Sequence, residues 1–221
     1  MNKSLIIGIG SHTKVGKTTF ANLFKELLSA ELPDREVVIL SFATQLRKEL
    51  NHWTIKEYNI DLYSCPPEEK ELIRPIMAGH GKIKRFFSKG THYTELLEHK
   101  IKTDYDIEHD NPIYIIDDFR YCSKVSGYEN DEDVWIKKNG GVTVYLDRYD
   151  TIPENSYFDF TNKGYITPAN DDERENSYVI KQCADYKLEW PTTNNKQERM
   201  KYVVEFYEWL RYNHYIDGKT Q

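Results

Sequence analysis

The sequence predicts an α/β fold built on a parallel sheet, and three observations support this prediction. Short apolar runs typical of buried strands alternate with segments whose apolar residues recur at helical spacing. The first run, 5–9, leads through a loop containing glycine and lysine into the helical pattern of 20–28. The 221 residues can bury a core and form a single domain that carries insertions.

Five segments are expected to form strands, since each is short, apolar and flanked by turn formers or helical patterns. They are 5–9, 35–42, 112–117, 142–146 and 184–188. Helical patterns cover 43–53, a segment from Pro66 that Ala78–Gly81 should break, 93–101, 134–138, 177–182 and the segment after Asn195. In the last helix, Phe206 and Trp209 are expected on a face outside the core stripe, which suggests a possible homodimer.

The composition and charge of the chain disfavour several classes of protein. Apolar residues make up 39% of the chain, charged residues 30%, and the formal net charge is −6, which disfavours a nucleic-acid-binding protein with a broad basic surface. Cys65, Cys122 and Cys183 form no C-x-x-C pair, which favours a reducing compartment and disfavours a zinc site. No apolar stretch approaches about 20 residues and no signal-peptide pattern is present, so a soluble cytoplasmic protein without a membrane partner is expected.

The loop after the first strand resembles a phosphate-binding loop, G-x-x-x-x-G-K-[ST]. Backbone N–H groups of such a loop and the following helix N-terminus surround a phosphate, the Lys reaches the terminal phosphates, and the hydroxyl binds magnesium. Lys17 and Thr18 occupy these two positions, while Ser11 stands where the pattern has its first glycine. A loop of this composition that binds no ligand is the alternative. The candidate phosphate-binding residues are Gly10, Ser11, Lys14, Val15, Gly16, Lys17, Thr18 and Thr19.

Charged residues elsewhere offer further candidates. Asp117, Asp118 and Arg120 follow the third strand, where acids can help to hold magnesium or form only a surface salt bridge. The segment 82–89 places Arg85 and three lysines around Phe86 and Phe87, as a solvated charge run, an anion pocket or, less favoured, a nucleic-acid contact. Arg148 and Arg174 bound a polar stretch, 147–176, that is expected to be a long functional loop.

Several stretches taken together resemble the phage-type deoxynucleoside monophosphate kinases. In chain order they are GKTT, SFATQLRKEL, EEKELIRPIMAGHGKIKRFF, YTELLEHKI, IYIIDDFRY, WIKKNGGVTVYLDR and ADYKL followed by Asn194. The resemblance implies a three-layer P-loop kinase fold with a five-stranded parallel sheet, and a single domain. Its core would comprise 1–53, 112–147 and 177–221, with a helical substrate-binding insertion at 54–111 and a lid at 148–176.

The resemblance also implies ATP, Mg²⁺ and a deoxynucleoside monophosphate as ligands, and it assigns roles by position. Lys17, Arg120 and Arg148 would be catalytic, and Thr18 and Asp118 would bind the metal. By position, Arg47, Arg74 and Arg120 would contact the acceptor. Further acceptor-binding candidates are Arg85, Asp118 and Arg174. A bacteriophage source, and hence host cytoplasm, is implied by the resemblance alone.

Three departures from the family pattern keep other functions open. Ser11 replaces a glycine, Lys124 stands where a glutamate is common and Glu132 is its possible substitute, and the lid cluster is altered to residues 173–176. One alternative is a P-loop kinase of another small molecule, such as dephospho-coenzyme A. The other is a nucleotide-binding regulator without catalysis. Candidates for base selection include His80, His92, Tyr93 and Glu95.

Overall fold

The computed structural model describes residues 4–105, 111–151 and 163–216, which form one sheet with helices on both faces. The strands are β1 (Leu5–Gly10), β2 (Val37–Leu40), β3 (Ile113–Phe119), β4 (Val142–Thr151), β5 (Lys163–Tyr165) and β6 (Tyr186–Pro191). The helices are α1 (Lys17–Glu31), α2 (Phe42–Tyr58), α3 (Pro67–Ser88), α4 (His92–Asp104), α5 (Ser123–Ser126), α6 (Glu132–Lys138), α7 (Asp171–Cys183) and α8 (Lys196–Tyr212).

Five of the strands are parallel, in the order β2-β3-β1-β4-β6. The predicted five-stranded parallel sheet is therefore confirmed. β5 is an additional short strand that pairs antiparallel with the end of β4. Because β1 and β3 are neighbours, the loop after β1 and the acids at the end of β3 meet at the same edge of the sheet, where ligands bind in open α/β folds.

Alternation along β1 explains the three layers. Ile7 and Ile9 are fully buried on the face covered by α1 and α8. Ile6 points to the opposite face, where residues of α2, α4, α6 and α7 pack. Successive side chains of a strand point to opposite faces, so an almost continuous apolar run is required when helices cover both. The predicted α/β class is confirmed.

The last helix differs from its prediction. Phe206 is fully buried and Trp209 packs beside it against Tyr186, with ring centroids 5.0–6.0 Å apart. The buried stripe thus follows Val203, Phe206 and Leu210, whereas Val204 is 38% exposed. The placement of Phe206 and Trp209 outside the core was wrong, so these residues give no support to the expected homodimer.

Helix α3 runs through the residues expected to break it. Pro75 and Gly79 lie inside its 22 residues, and Gly81 is buried where α3 meets Leu46 of α2. A glycine within a helix costs only about 1 kcal/mol, which the packing of neighbouring helices outweighs. With α4 and the last turn of α2, this helix supplies the described helices of the segment predicted as an insertion, 54–111.

The polar stretch 147–176 is more ordered than predicted. β4 continues to Thr151, β5 follows, and α7 begins at Asp171, six residues before the predicted start. The Asn170 side chain caps α7 by accepting a hydrogen bond from the Glu173 N–H at 2.9 Å. Residues 152–162 of the predicted lid lie outside the described residues, and the lid remains a prediction. None of the described helices is long and apolar enough to cross a membrane.

Candidate phosphate-binding site

The loop between β1 and α1 places Lys17 at the first position of a helix whose N-terminus faces the sheet edge. The Lys17 ammonium donates hydrogen bonds to the carbonyl oxygens of Ser11 at 3.0 Å and His12 at 2.6 Å. Burial, and then the neighbouring charge of Arg120, lower the pKa of Lys17 to about 8. Burial favours the neutral form of Lys17. A phosphate bound next to it would supply negative charge and so favour the charged ammonium form.

Two residues of the loop adopt left-handed backbone conformations. Gly16 has φ 91° and Lys14 has φ 68°. A Cβ on Gly16 would also lie 2.8 Å from the Trp190 ring, so only glycine fits there. Ser11 is buried and is absent from the left-handed region, which explains why a serine is accommodated in place of the expected glycine.

Trp190, near the end of β6, packs against the phosphate-binding loop. Its indole N–H donates to the Val15 carbonyl at 2.9 Å, and the ring packs edge-on against Phe20 with centroids 5.7 Å apart. The side chain is only 2% exposed. The shape of the loop therefore depends on a residue about 175 positions away in sequence.

We expect Trp190→Ala to lower the free energy of unfolding by about 3–5 kcal/mol, because it removes a large buried ring and the partner of the Val15 carbonyl. Urea denaturation measures this change. Trp53→Ala is the matched control, since Trp53 is 38% exposed on α2 and should cost about 1 kcal/mol or less. Equal losses in the two variants would contradict the supporting role of Trp190.

The other side of the loop is attached to β5 and α7. The buried His12 ring places Nε2 2.7 Å from the Ile166 carbonyl, and burial lowers the pKa of His12. Glu173 accepts a hydrogen bond from the Thr13 hydroxyl at 2.9 Å, and lies 3.9 Å from the Arg120 guanidinium. The second half of the segment predicted as a lid therefore contacts the phosphate-binding loop through Ile166 and Glu173.

The two acids after β3 have different partners. Asp117 accepts a hydrogen bond from the Thr18 hydroxyl at 2.9 Å. Asp118 accepts from the backbone N–H groups of Phe42 and Ala43 at 2.8 and 2.7 Å, and so caps α2. The acid that contacts Thr18 is Asp117, because side chains alternate along β3 and only one of two adjacent residues faces the loop. The predicted place of Asp118 in the magnesium shell stays a prediction.

The predicted arginines differ in how close they lie to Lys17 and Asp117. Arg120 lies near enough to Lys17 to lower its pKa, and the positive charge of Arg47 opposes the rise of the Asp117 pKa that burial causes. Arg148 lies within β4, beside Trp190 in the strand register, and its buried Nε has no hydrogen-bond partner among the described residues.

Two further arginines pair with acids of their own helices. Arg74 on α3 forms two hydrogen bonds with Glu71 at 2.6 and 3.0 Å. Arg174 pairs with Asp171 at 2.6 Å, and both side chains are largely exposed. The hydrogen bonds from Arg74 lower the pKa of Glu71, and the charge of Lys14 in the loop adds a smaller effect.

Arg85 is neither solvated nor available as a free cation. It is 5% exposed, pairs with the fully buried Asp131 at 2.6 Å, and stacks on the Tyr121 ring with its Cζ 3.5 Å from the centroid. Its second acidic neighbour, Glu132, lies 3.5 Å away. Arg85 thus joins the insertion helix α3 to Tyr121 and to the start of α6, and its predicted contact with an acceptor stays a prediction.

Glu132 holds the backbone of the same turn. Its carboxylate accepts from the N–H groups of Arg120 and Tyr121 at 2.8 and 3.0 Å. The sequence hypothesis that Glu132 replaces the glutamate missing at position 124 fits this geometry. Complete burial raises the pKa of Glu132 to about 8, and the charge of Arg85 opposes that rise only in part.

We expect Glu132 to make folding stability depend on pH. Its folded pKa is raised, so the folded state keeps a proton that the unfolded chain releases, and stability falls as pH rises from about 4.5 towards about 8. The slope should not exceed about 1.4 kcal/mol per pH unit. Thermal unfolding at pH 6–9 tests this, because Glu132→Gln should flatten the profile. An identical slope in both proteins would contradict it.

An open cavity of about 480 Å³ lies beside the turn that carries Arg120. Arg85 and Tyr121 line it together with the exposed rings of Phe86 and Phe87, which are 67% and 80% accessible. It has room for a small ligand with an aromatic ring. Its remaining lining residues are Lys82, Ile83, Val125, Ser126, Tyr128 and Asn176.

The proposed base-selecting residues lie largely in another cluster. Glu49 accepts hydrogen bonds from His80 at 2.8 Å and His92 at 2.5 Å, with the Tyr93 hydroxyl at 3.5 Å. These contacts join α2, α3 and α4. None of these three candidates is among the residues lining the 480 Å³ cavity, whereas Phe86, Phe87 and Tyr121 are.

No family model and no curated protein matches the chain. Among solved structures, TT1252 from Thermus thermophilus has 11% identity and a TM-score of 0.44, covering 94% of this chain and 98% of its own. Shikimate kinase from Bacteroides thetaiotaomicron has 13% identity and a TM-score of 0.38, with the same coverage. APE1195 has 12% identity and a TM-score of 0.27, covering 83% and 96%.

Proposed function

We propose that the protein is a nucleoside monophosphate kinase that transfers the ATP γ-phosphoryl group to a deoxynucleoside monophosphate. The observation that carries the proposal is the convergence of Lys17, hydrogen-bonded to the loop, and the Thr18–Asp117 pair at the start of α1. Arg120 is close enough to lower the pKa of Lys17, and the adjacent Tyr121 lines a cavity with exposed aromatic rings. The ordered motifs described above, which resemble the phage-type enzymes, supply the acceptor class.

The donor phosphates would lie on the loop from Gly10 to Thr19. The N–H groups at the start of α1 and the Lys17 ammonium offer donors to the phosphate oxygens. Lys17 would exchange its hydrogen bonds to the Ser11 and His12 carbonyls for the β- and γ-phosphates. Arg120, whose positive charge lowers the pKa of Lys17 after burial does, would contact the transferred group.

Magnesium fits the oxygen atoms beside the loop. The Thr18 hydroxyl and the Asp117 carboxylate are 2.9 Å apart at the edge of the sheet. Magnesium is commonly bound through one or two protein oxygens together with substrate phosphates and waters. Thr18 and Asp117 would hold it, and the ion would supply charge compensation to the donor phosphates.

The acceptor is assigned to the cavity next to Arg120. Its base would lie against Phe86, Phe87 and Tyr121, while its phosphate would extend towards Arg120 and Arg47. Arg85 would act indirectly through Tyr121, because its guanidinium stacks on the Tyr121 ring with Cζ 3.5 Å from the ring centroid. A phosphate oxygen of the acceptor forms the new bond to the γ-phosphorus as the bond to the ADP leaving oxygen breaks, so no side-chain nucleophile is needed.

A coupled assay of ADP release tests the proposal with ATP, magnesium and dTMP, dGMP, dCMP, dAMP or dUMP in turn, with acceptor-free controls. Turnover that depends on a nucleotide acceptor is expected. Turnover only with a different acceptor, such as dephospho-coenzyme A, would keep the P-loop kinase and overturn the nucleotide assignment. ATP binding without transfer to any acceptor would favour the regulatory alternative.

A second experiment locates the acceptor. We expect Phe86→Ala and Phe87→Ala to raise KM for the acceptor and leave KM for ATP unchanged, because the rings lie in the cavity and not at the loop. Phe86 and Phe87 are exposed, so neither change should destabilise the fold substantially. An effect confined to KM for ATP would contradict this placement.

A further inference from the structure

The fold brings together two cysteines that are 61 positions apart in the chain. Cys122 Sγ lies 3.3 Å from Cys183 Sγ. Cys122 follows β3, two residues after Arg120, and Cys183 is the last residue of α7. Both are free thiols in this structure. The absence of a C-x-x-C motif hid this pair from the sequence.

We propose that Cys122 and Cys183 form a reversible intramolecular disulfide when the protein meets a disulfide oxidant. A disulfide bond is about 2.05 Å long, so the two sulfur atoms must approach by roughly 1 Å. Cys122 is at the start of a short loop and Cys183 at a helix end, where such a shift is possible without unfolding a central element. The proposal does not depend on the kinase assignment.

The two thiols have different environments, which sets the order of the steps. Cys183 is partly exposed, whereas Cys122 is 1% exposed. Burial raises the pKa of Cys122, which disfavours its thiolate as the first nucleophile. The Cys183 thiolate therefore attacks one sulfur of the oxidant, forms a mixed disulfide, and releases the other sulfur as a thiolate.

In the second step Cys122 acts as the resolving thiol. Asp133 Oδ2 accepts a hydrogen bond from the Cys122 thiol at 3.1 Å, which orients the sulfur, and the proton passes to solvent as the sulfur attacks. Cys122 Sγ then attacks Cys183 Sγ, the protein disulfide forms, and the second half of the oxidant leaves as a thiolate. Two electrons pass from the protein thiols to the oxidant disulfide, and the two protons end on solvent or the released thiols.

The bond would tie together two elements that already flank the phosphate-binding loop. The turn after β3 carries Arg120, and α7 carries Glu173, whose carboxylate lies 3.9 Å from the Arg120 guanidinium. A covalent link between residues 122 and 183 would restrict the unfolded chain over a long loop. Oxidised protein should therefore unfold at a higher temperature than reduced protein.

The test treats the full-length reduced protein with oxidised glutathione and maps its peptides by mass spectrometry without reduction. A single Cys122–Cys183 linkage, a mass loss of about 2 Da, one remaining free thiol at Cys65 and full reversal by dithiothreitol are expected. Cys65→Ser should give the same linkage. Cys183→Ser should leave Cys122 reduced, because Cys122 is buried.

Several results would overturn the proposal. A linkage through Cys65, bridges only between two molecules, or a stable glutathione adduct on Cys183 that Cys122 never displaces would each show that the pair does not close. Loss of the folded state on oxidation, followed by circular dichroism, would also contradict it. Because each readout is chemical or conformational, failure of the kinase assay leaves this outcome unaffected.

Discussion

Lys17→Ala is expected to lower phosphoryl transfer by about 10²–10³-fold, because it removes the cation nearest the donor phosphates. The fold should remain intact, since the Lys17 side chain bonds only to the Ser11 and His12 carbonyls and burial already disfavours its charge. Steady-state kinetics with saturating magnesium and circular dichroism measure the two quantities.

Two controls sharpen this prediction. Lys17→Met keeps most of the side-chain volume without the charge and should fall as far as Lys17→Ala. Lys25→Ala removes an exposed lysine from the same helix, outside the site, and should keep full turnover. In the wild type, kcat/KM for ATP should fall as pH rises through about 8, where Lys17 loses its proton. Full turnover in Lys17→Ala would exclude the proposed role.

Asp117→Asn should lower magnesium-dependent transfer by about 10–100-fold while leaving stability nearly unchanged. Burial and the charge of Asp118 raise the pKa of Asp117, so the folded protein gains little from its negative charge. The asparagine can still accept the Thr18 hydrogen bond. The expected signature is a higher magnesium requirement, measured by titrating the metal at fixed ATP.

For Asp118→Asn we expect the opposite outcome, namely lower stability with an unchanged magnesium requirement. Asp118 holds the N-terminus of α2 through hydrogen bonds from Phe42 N, Ala43 N and the Ser41 hydroxyl. Its replacement should cost about 1–2 kcal/mol of unfolding free energy. Its magnesium requirement should stay near that of the wild type. If Asp118→Asn shifts the metal titration and Asp117→Asn does not, the assignment of the two acids is reversed.

Local patterns predicted the sheet and the loop well, because each depends on neighbouring residues. The apolar run before Gly10 and the helical period after Thr18 define a strand, a loop and a helix without reference to the rest of the chain. The alternation of apolar segments with helical patterns was enough to predict a parallel sheet. Segments such as β5, three residues long with exposed side chains, carry no comparable signal.

Long-range pairing explains what the sequence could not predict. Asp117 and Asp118 are chemically identical neighbours, and only the packing of α2 against β3 decides which one faces Thr18. The sequence left Arg85 in a solvated run, an anion pocket or a nucleic-acid contact, because its partners Asp131 and Glu132 lie at the start of the distant helix α6. Trp190 shapes the phosphate-binding loop through its hydrogen bond to the Val15 carbonyl. The residues around Trp190 in the sequence do not indicate this contact, because Val15 is 175 positions away.

The central claim is that the site moves a phosphoryl group from ATP to a nucleotide acceptor bound beside Arg120. Single-turnover reactions with γ-³²P-labelled ATP test it directly, with excess enzyme and the acceptor that gives the highest ADP release. The label is expected in the nucleoside diphosphate in an amount equal to the ADP formed, and Lys17→Ala should abolish it. Label that appears only in inorganic phosphate, or remains in ATP, would contradict the claim.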